Sequence, residues 1–239
     1  MPPPRENKAV QALQVVPFFA DMPEDHAEEL GKSLVPRRFT LGQVIFHLGD
    51  PGGLLYLIVR GKVKISHTTP EGHEVVLAIL GPGDFFGELA LLDDAPRSAT
   101  ALALETTETW TLHREEFMRY LTDNPEFALH VLKTLARHIR RLNTQLADIF
   151  FLDLPGRLAR TLLGLAEQYG RHTTDGTVIE LALTQTDLAE MTGATRVSIN
   201  KALGRFRREG WIRVNGRQVT LLDPAALAGL IQLSGGGEA

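Results

Sequence analysis

The sequence predicts an α+β fold in three parts: a jelly-roll-like domain of short strands, one long helix, and a compact module of helices closed by a hairpin. Three observations carry this. Between residues 37 and 112, short β-type runs alternate with Gly- and Pro-rich breaks, the even spacing of a small roll or barrel. Residues 124–150 place apolar side chains at alternating steps of three and four, which is one narrow helical stripe. Residues 184–222 set two capped helical segments around a glycine and follow them with a tight hairpin.

Composition bounds the rest. A chain of 239 residues with 44% apolar residues can bury one large core or two ordinary ones. It has no cysteine, which excludes disulfides, thiolate metal sites and cysteine-ligated iron-sulfur clusters. No apolar run approaches the roughly 18 residues of a membrane helix. The start, Met1-Pro2-Pro3-Pro4-Arg5, lacks the apolar block of a secretory signal, so the expectation is a cytoplasmic protein without a membrane partner. The net charge of -4 hides an asymmetry: residues 1–150 carry 15 Lys or Arg against 20 Asp or Glu, and residues 151–239 carry 10 against 9. The second part is therefore the better partner for a polyanion.

The first residues read as a mobile arm, followed by short helical segments at Pro17-Phe18-Phe19 and over 23–34. Strands are expected at 44–46, 55–59, 63–65, 75–80 and 109–112, with turns at 49–53, 60–62 and 81–84. Within this region lies Gly83-Asp84-Phe85-Phe86-Gly87-Glu88-Leu89-Ala90-Leu91-Leu92, followed by Pro96-Arg97-Ser98-Ala99-Thr100. Gly87 lets backbone N–H groups approach an anion, and a helical turn starting there would aim its positive end at that anion. Arg97 can fork two donors onto phosphate oxygens, Ser98 adds a hydroxyl, and Glu88 can accept from a sugar hydroxyl. These residue types describe a pocket for a phosphorylated sugar. Without further context, the simpler reading is a Glu88–Arg97 pair that merely braces a barrel turn.

In the long stretch, Asn124 is placed to cap the helix and Pro125 suits its first position. Leu132, Leu135, Ile139, Leu142, Leu146 and Ile149 form the stripe, either a dimer seam or the inner face of an ordinary core helix. Beyond it, Asp153 caps another helix with Pro155 in its first turn and Leu158, Leu162, Leu165 and Ala166 on one face; a polar loop over 171–176 leads to a strand over 178–181.

Thr184 and Asp187 fit a capping box, Gly193 breaks that helix, and Thr195 caps the next. Two helices joined at a glycine are a helix-turn-helix candidate. On the second, Ile199, Leu203 and Phe206 face inward, leaving Arg196, Val197, Asn200 and Lys201 outside near the N-terminal end, where base-reading residues sit in the major groove. The stretch 211–222 reads as a hairpin with a tight Asn215-Gly216 turn, a wing. An ordinary helical hairpin with a solvated basic face is the alternative.

Taken in order, Leu55-Tyr56-Leu57-Ile58-Val59-Arg60-Gly61-Lys62-Val63, the Gly83–Leu92 motif quoted above and Pro96-Arg97-Ser98-Ala99-Thr100 resemble the cyclic-nucleotide-binding domain of the cyclic AMP receptor protein (CRP/FNR) family of bacterial transcription regulators. The resemblance covers nearly the whole chain. It implies an arm, short helices and nucleotide-binding β-roll over 1–123, a dimerisation helix over 124–150, a hinge over 151–155 and a winged helix-turn-helix DNA-binding domain over 156–239. It implies a homodimer on double-stranded DNA with paired half-sites, cyclic AMP as effector rather than catalytic cofactor, no metal, and RNA polymerase as a further partner.

By the same resemblance, Gly87, Glu88, Leu89, Arg97 and Ser98 form the phosphate-binding cassette, with Glu88 on the ribose 2′-OH and Arg97 with Ser98 on the cyclic phosphate. Two neighbouring polar residues of the family's long helix contact the adenine edge. Those positions here are Leu142 and Asn143, and Leu142 offers only packing. Arg196 corresponds to an arginine that reads guanine, and Lys201 replaces a second arginine. Val197 stands where the reference member has a glutamate, so it offers apolar contact, for instance to a thymine methyl. Gln185, Thr195 and Ser198 would contact phosphates, and Asn200 completes the outer face.

Two other readings remain open from the residues. One keeps the regulator but changes the signal to haem, with His47, His67, His73 or His113 as ligand, to an organic acid, or to none. The other is a metal-dependent barrel enzyme, which would need a cluster of His and carboxylate ligands that this sequence does not space suitably. The expectation is a regulator, not an enzyme.

Overall fold

The computed structural model describes residues 24–234 and divides the chain into two compact units, 1–137 and 138–239, with the boundary inside one long helix. The expected arm, the segment Pro17-Phe18-Phe19 and Pro23 lie outside the described residues.

In the first unit a helix over Glu24–Ser33 precedes eight strands: β1 (Val35–Phe39), β2 (Val44–Phe46), β3 (Leu54–Arg60), β4 (Val63–Thr68), β5 (Glu74–Leu80), β6 (Phe85–Phe86), β7 (Thr100–Ala103) and β8 (Thr107–His113). They form two four-stranded antiparallel sheets, ordered β1-β8-β3-β6 and β2-β7-β4-β5. The expected strands are present; β1, β6 and β7 are additional to them.

Alternation along β3 explains how the roll is layered. Leu55 and Leu57 join a core with Phe85, Leu91, Trp110, Leu112 and the helical residues Phe117, Phe127 and Val131. Tyr56 and Ile58 point the other way, into a core with Val63, Leu80, Phe86 and Ala101. Successive side chains of a strand face opposite sides, so an unbroken apolar run is what a wall buried on both faces requires. Each buried Leu or Phe contributes roughly 1.5–3 kcal/mol by leaving water.

A helix over Arg114–Asp123 leads into the long helix, Pro125–Phe151. The expectation for Asn124 is corrected here. Its side-chain amide donates back to Tyr120 O at 3.0 Å, and its backbone ends the preceding helix. Its side chain therefore closes one helix, and only its carbonyl, accepting from Ala128 N at 3.0 Å, serves the next. The expected stripe also divides. Leu135 packs against the first core, whereas Leu132, Ile139, Leu142, Leu146 and Ile149 are 49–61% exposed.

In the second unit, Asp153 Oδ1 accepts from Gly156 N at 2.8 Å and starts the helix Leu154–Tyr169. The polar loop expected over 171–176 is instead largely a strand, β9 (Gly170–Thr173), paired with β10 (Gly176–Ile179). A polar edge strand has one open side and needs no apolar alternation, which is why its sequence reads as a loop. Helices Gln185–Thr192 and Arg196–Arg208 follow, then β11 (Ile212–Asn215) and β12 (Gln218–Leu221), completing a sheet ordered β11-β12-β10-β9. Asn215 pairs with Gln218, so the two-residue turn is Gly216-Arg217, one position later than expected. A last helix, Pro224–Ser234, packs on Leu154–Tyr169.

Candidate functional site

Two places gather the predicted residues. The first lies in the roll. β6 ends at Phe86, Gly87 turns the chain at φ 87°, and a helical turn over Leu89–Leu92 begins directly after Glu88. That φ favours glycine, and space demands it too: a Cβ on Gly87 would lie 2.6 Å from Arg97 Nη1 and 3.0 Å from Leu54 O. The first N–H groups of a helical turn have no acceptor within it, and here they follow Gly87 and Glu88 directly.

Arg97 is brought over Gly87 by backbone pairing with the loop after β2: Gly49 N donates to Arg97 O and Arg97 N to Asp50 O, at 2.8 and 2.9 Å. The residue is 4% exposed. Nη1 donates to Gly87 O and Nη2 to Leu54 O, each at 2.8 Å, and Nε is buried without a hydrogen-bond partner. The two backbone bonds engage the terminal nitrogens, and Nε alone has no partner. The guanidinium carbon lies over the Phe46 ring at 4.2 Å from the centroid, with the Tyr56 ring at 5.8 Å.

Burial dominates the electrostatics of this cluster. Burial pushes the Arg97 pKa below its ordinary value, opposed by Tyr56, Glu88 and Asp50. Burial pushes the Glu88 carboxyl above the usual carboxylate range, opposed by its own backbone N–H and by Arg97. Burial also raises Tyr56, opposed by Arg97 and Arg37. A second negative charge beside Arg97 would offset the desolvation of its cation. Ser98 is exposed beside it, and Leu89 is 43% exposed. Leu142 and Asn143 are exposed on the long helix, in the second unit.

The second place is the helix pair after β10. Thr184 Oγ1 accepts from Asp187 N while Asp187 Oδ2 accepts from Thr184 N, a complete capping box. Gly193 ends this helix in the left-handed region at φ 61°. Thr195 Oγ1 accepts from Ser198 N at 3.2 Å to start the next. Ile199, Leu203 and Phe206 are buried, which leaves Arg196, Val197, Asn200 and Lys201 exposed on the first turns. Thr195 and Ser198 also share a hydroxyl hydrogen bond at 2.9 Å, so one of the two protons is used internally. Gln185, half-buried, donates to Asn200 Oδ1 at 3.3 Å and links the two helices.

A cavity of about 410 Å³ opens between Gln185, Arg196 and the hairpin residues Val214, Gly216 and Arg217. Arg217, exposed at the hairpin turn, is a functional candidate that the sequence reading missed; a basic residue directly after the expected Asn215-Gly216 turn was the available signal. Phe46 and Tyr56 were missed as well, and no local pattern announces a ring beneath an arginine fifty residues away. His47, His67, His73 and His113 are all exposed. Among the described residues no three of His, Cys, Asp and Glu are grouped to hold a metal, and no helix is long and apolar enough to cross a membrane.

Comparison with known proteins bears on both places. The cyclic nucleotide-binding domain model matches residues 36–124, and the Crp-like helix-turn-helix domain model matches 156–230. The chain is 40% identical over 199 residues to a CRP-like cAMP-activated global transcriptional regulator of Mycobacterium tuberculosis, covering 83% of this chain and 89% of that one. It is 33% identical over 212 residues to the cyclic AMP receptor protein of Thermus thermophilus, covering 88% and 94%. A solved CRP-family transcriptional regulator, also of Thermus thermophilus, superposes with a TM-score of 0.71 at 30% identity, over 82% of this chain and 96% of that one.

Proposed function

The chain belongs to the cyclic AMP receptor protein family of bacterial transcription regulators, and from that premise we propose that it is a cyclic AMP-responsive homodimer that reads paired DNA half-sites. The observation that carries the effector reading is Arg97: a buried guanidinium, clamped over Gly87 by two carbonyls, with a partnerless buried Nε, inside the matched nucleotide-binding domain. Arg97 and Ser98 take the cyclic phosphate together with the N–H groups after Gly87, and Glu88 takes the ribose hydroxyl. The names of the two relatives, one cAMP-activated and one a cyclic AMP receptor, support the same nucleotide.

An effector shifts a conformational equilibrium only by the difference in its affinity for the two states. Leu91 of the cassette turn shares one buried core with Phe117, Phe127 and Val131, so a change at the cassette is felt directly at the start of the long helix. On that helix the exposed stripe of Leu132, Ile139, Leu142, Leu146 and Ile149 is the surface we assign to the second subunit. Arg196 reads a guanine, Val197 packs on a base edge, Asn200 and Lys201 extend the contact, and Gln185, Thr195 and Ser198 position the helix on phosphates. RNA polymerase is the further partner this role implies.

Calorimetric titration with cyclic AMP and cyclic GMP, followed by DNA selection with and without the bound nucleotide, tests the proposal. Tight cyclic AMP binding and a nucleotide-dependent DNA consensus are expected; absence of cyclic AMP binding would overturn the effector assignment. Sedimentation of an Ile139→Glu variant tests the dimer: a monomer is expected, and an unchanged dimer would remove the stripe from the interface. A second reading, a family regulator tuned to another effector, is favoured by Leu142, an apolar residue where the family resemblance places a polar base contact. Tighter binding of cyclic GMP than cyclic AMP would select it.

A further inference from the structure

The charge of Arg97 is held in a setting that works against it, and the aromatic residues beneath it are arranged to compensate. Tyr56 and Phe86 stack at 4.9 Å with 9° between their planes, and Phe46 leans on both rings at 5.7 and 5.8 Å. Three elements contribute: Phe46 ends β2, Tyr56 sits in β3 and Phe86 ends β6. Arg97 spreads its guanidinium over the Phe46 face at 4.2 Å, well within the range at which a ring quadrupole attracts a cation. An aliphatic side chain of similar bulk would fill this space without supplying that field.

We propose that Phe46, backed by Tyr56 and Phe86, is a positioning residue of the anion site. Its ring face sets the plane of the Arg97 guanidinium, so that the donors left over from Gly87 O and Leu54 O are presented to the anionic group of the nucleotide as one preformed fork. The two carbonyls alone fix two nitrogens; the ring removes the remaining freedom, tilt about the line joining them. Preorganisation of this kind strengthens binding by lowering the ordering cost of the ligand-bound state. The inference rests on the nucleotide reading of the pocket and extends it to a residue that donates no hydrogen bond.

The test is calorimetry on the full chain with cyclic AMP as the probe, comparing Phe46→Leu, Phe46→Met and Phe46→Tyr, with thermal melting of each and NMR of the Arg97 Nε–H group. Both ringless variants are expected to bind about three- to tenfold more weakly, and their Arg97 Nε–H signal to broaden or average. Phe46→Tyr keeps the ring face and is expected to restore both affinity and a sharp signal, whatever its melting temperature. Unchanged affinity in a folded ringless variant would overturn the proposal, as would equal losses in the Leu and Tyr variants, which would reduce Phe46 to packing. Failure of the unsubstituted protein to bind cyclic AMP is a different result: it removes the nucleotide reading, and this role falls with it.

Discussion

Arg97 and Arg196 are the two arginines on which the proposed function turns, and they are placed in opposite ways. Arg97 is buried, bonded to two backbone carbonyls and laid on an aromatic ring before any ligand arrives. Arg196 is exposed at the first position of a capped helix, beside the hairpin cavity. The difference matches what the proposed function asks each to recognise. A small anion offers a few oxygens at fixed positions, so its partner gains by being held rigid and dry. A DNA groove offers many weak contacts over a large area, so its partner gains from reach and from long-range charge.

That contrast is most easily broken at the buried end. Arg97→Ala is expected to cost nucleotide binding on the order of 2–5 kcal/mol, because it removes a buried charged donor and leaves Glu88 in the same pocket. Non-specific DNA affinity, measured without nucleotide, should not change. Calorimetry showing unaltered cyclic AMP binding in this variant would sink the pocket assignment. The exposed end should respond less and more selectively. Arg196→Ala is expected to cost about 1–3 kcal/mol at one base pair of each half-site, whereas Arg217→Ala should weaken all sequences alike and reduce the salt slope by about one. Equal losses for Arg196→Ala on selected and random DNA would make it a phosphate contact.

Glu88 tests the cost of building a dry pocket. Burial raises its pKa, so the folded state holds the proton more tightly than the unfolded chain does. Stability from this group is therefore fully present below the unfolded carboxylate pKa and is lost as pH rises through the raised folded value. Glu88→Gln, which cannot ionise, should lack this contribution and melt higher than the unsubstituted protein above that window, while binding cyclic AMP less well. Melting curves as a function of pH that are parallel for the two proteins would show that the carboxylate is fully compensated in place.

The sequence was most informative where the chemistry is local. The Thr184–Asp187 box, the Gly193 break and the Thr195 cap each need only residues within four positions, and all three form as read. The grouping of Gly87, Glu88 and Arg97 was legible for a related reason: the first two are neighbours, and the arginine returns to them after one short turn of helix. Edge strands were not legible. Residues 35–39, Val-Pro-Arg-Arg-Phe, show no apolar alternation because β1 pairs on one side only and its middle residues face water. Asn124 misled because its side-chain amide is used as a donor to Tyr120 O, so only its backbone carbonyl, accepting from Ala128 N, serves the helix that follows. The contact of Phe46 with Arg97 depends on how two sheets and a loop close on each other, which no periodicity encodes.

The smallest effect sharpens the comparison at the level of the two units. The capping box at Thr184 satisfies the first donors of the helix that supports the reading helix, and replacing such a residue by alanine typically costs about 1 kcal/mol. Its bonds join only Thr184 and Asp187, far in sequence from the roll. Thr184→Ala should therefore lower the melting of the DNA-binding unit by a few degrees, leave cyclic AMP affinity unchanged, and weaken specific DNA binding slightly by loosening the helix that Gln185 ties to Asn200. Hydrogen exchange locates the effect: faster exchange is expected over 185–208 and none over 54–103. Faster exchange in the roll as well would mean that the two regions unfold as one cooperative body, and the contrast between a rigid pocket and a pliable reading head would have to be given up.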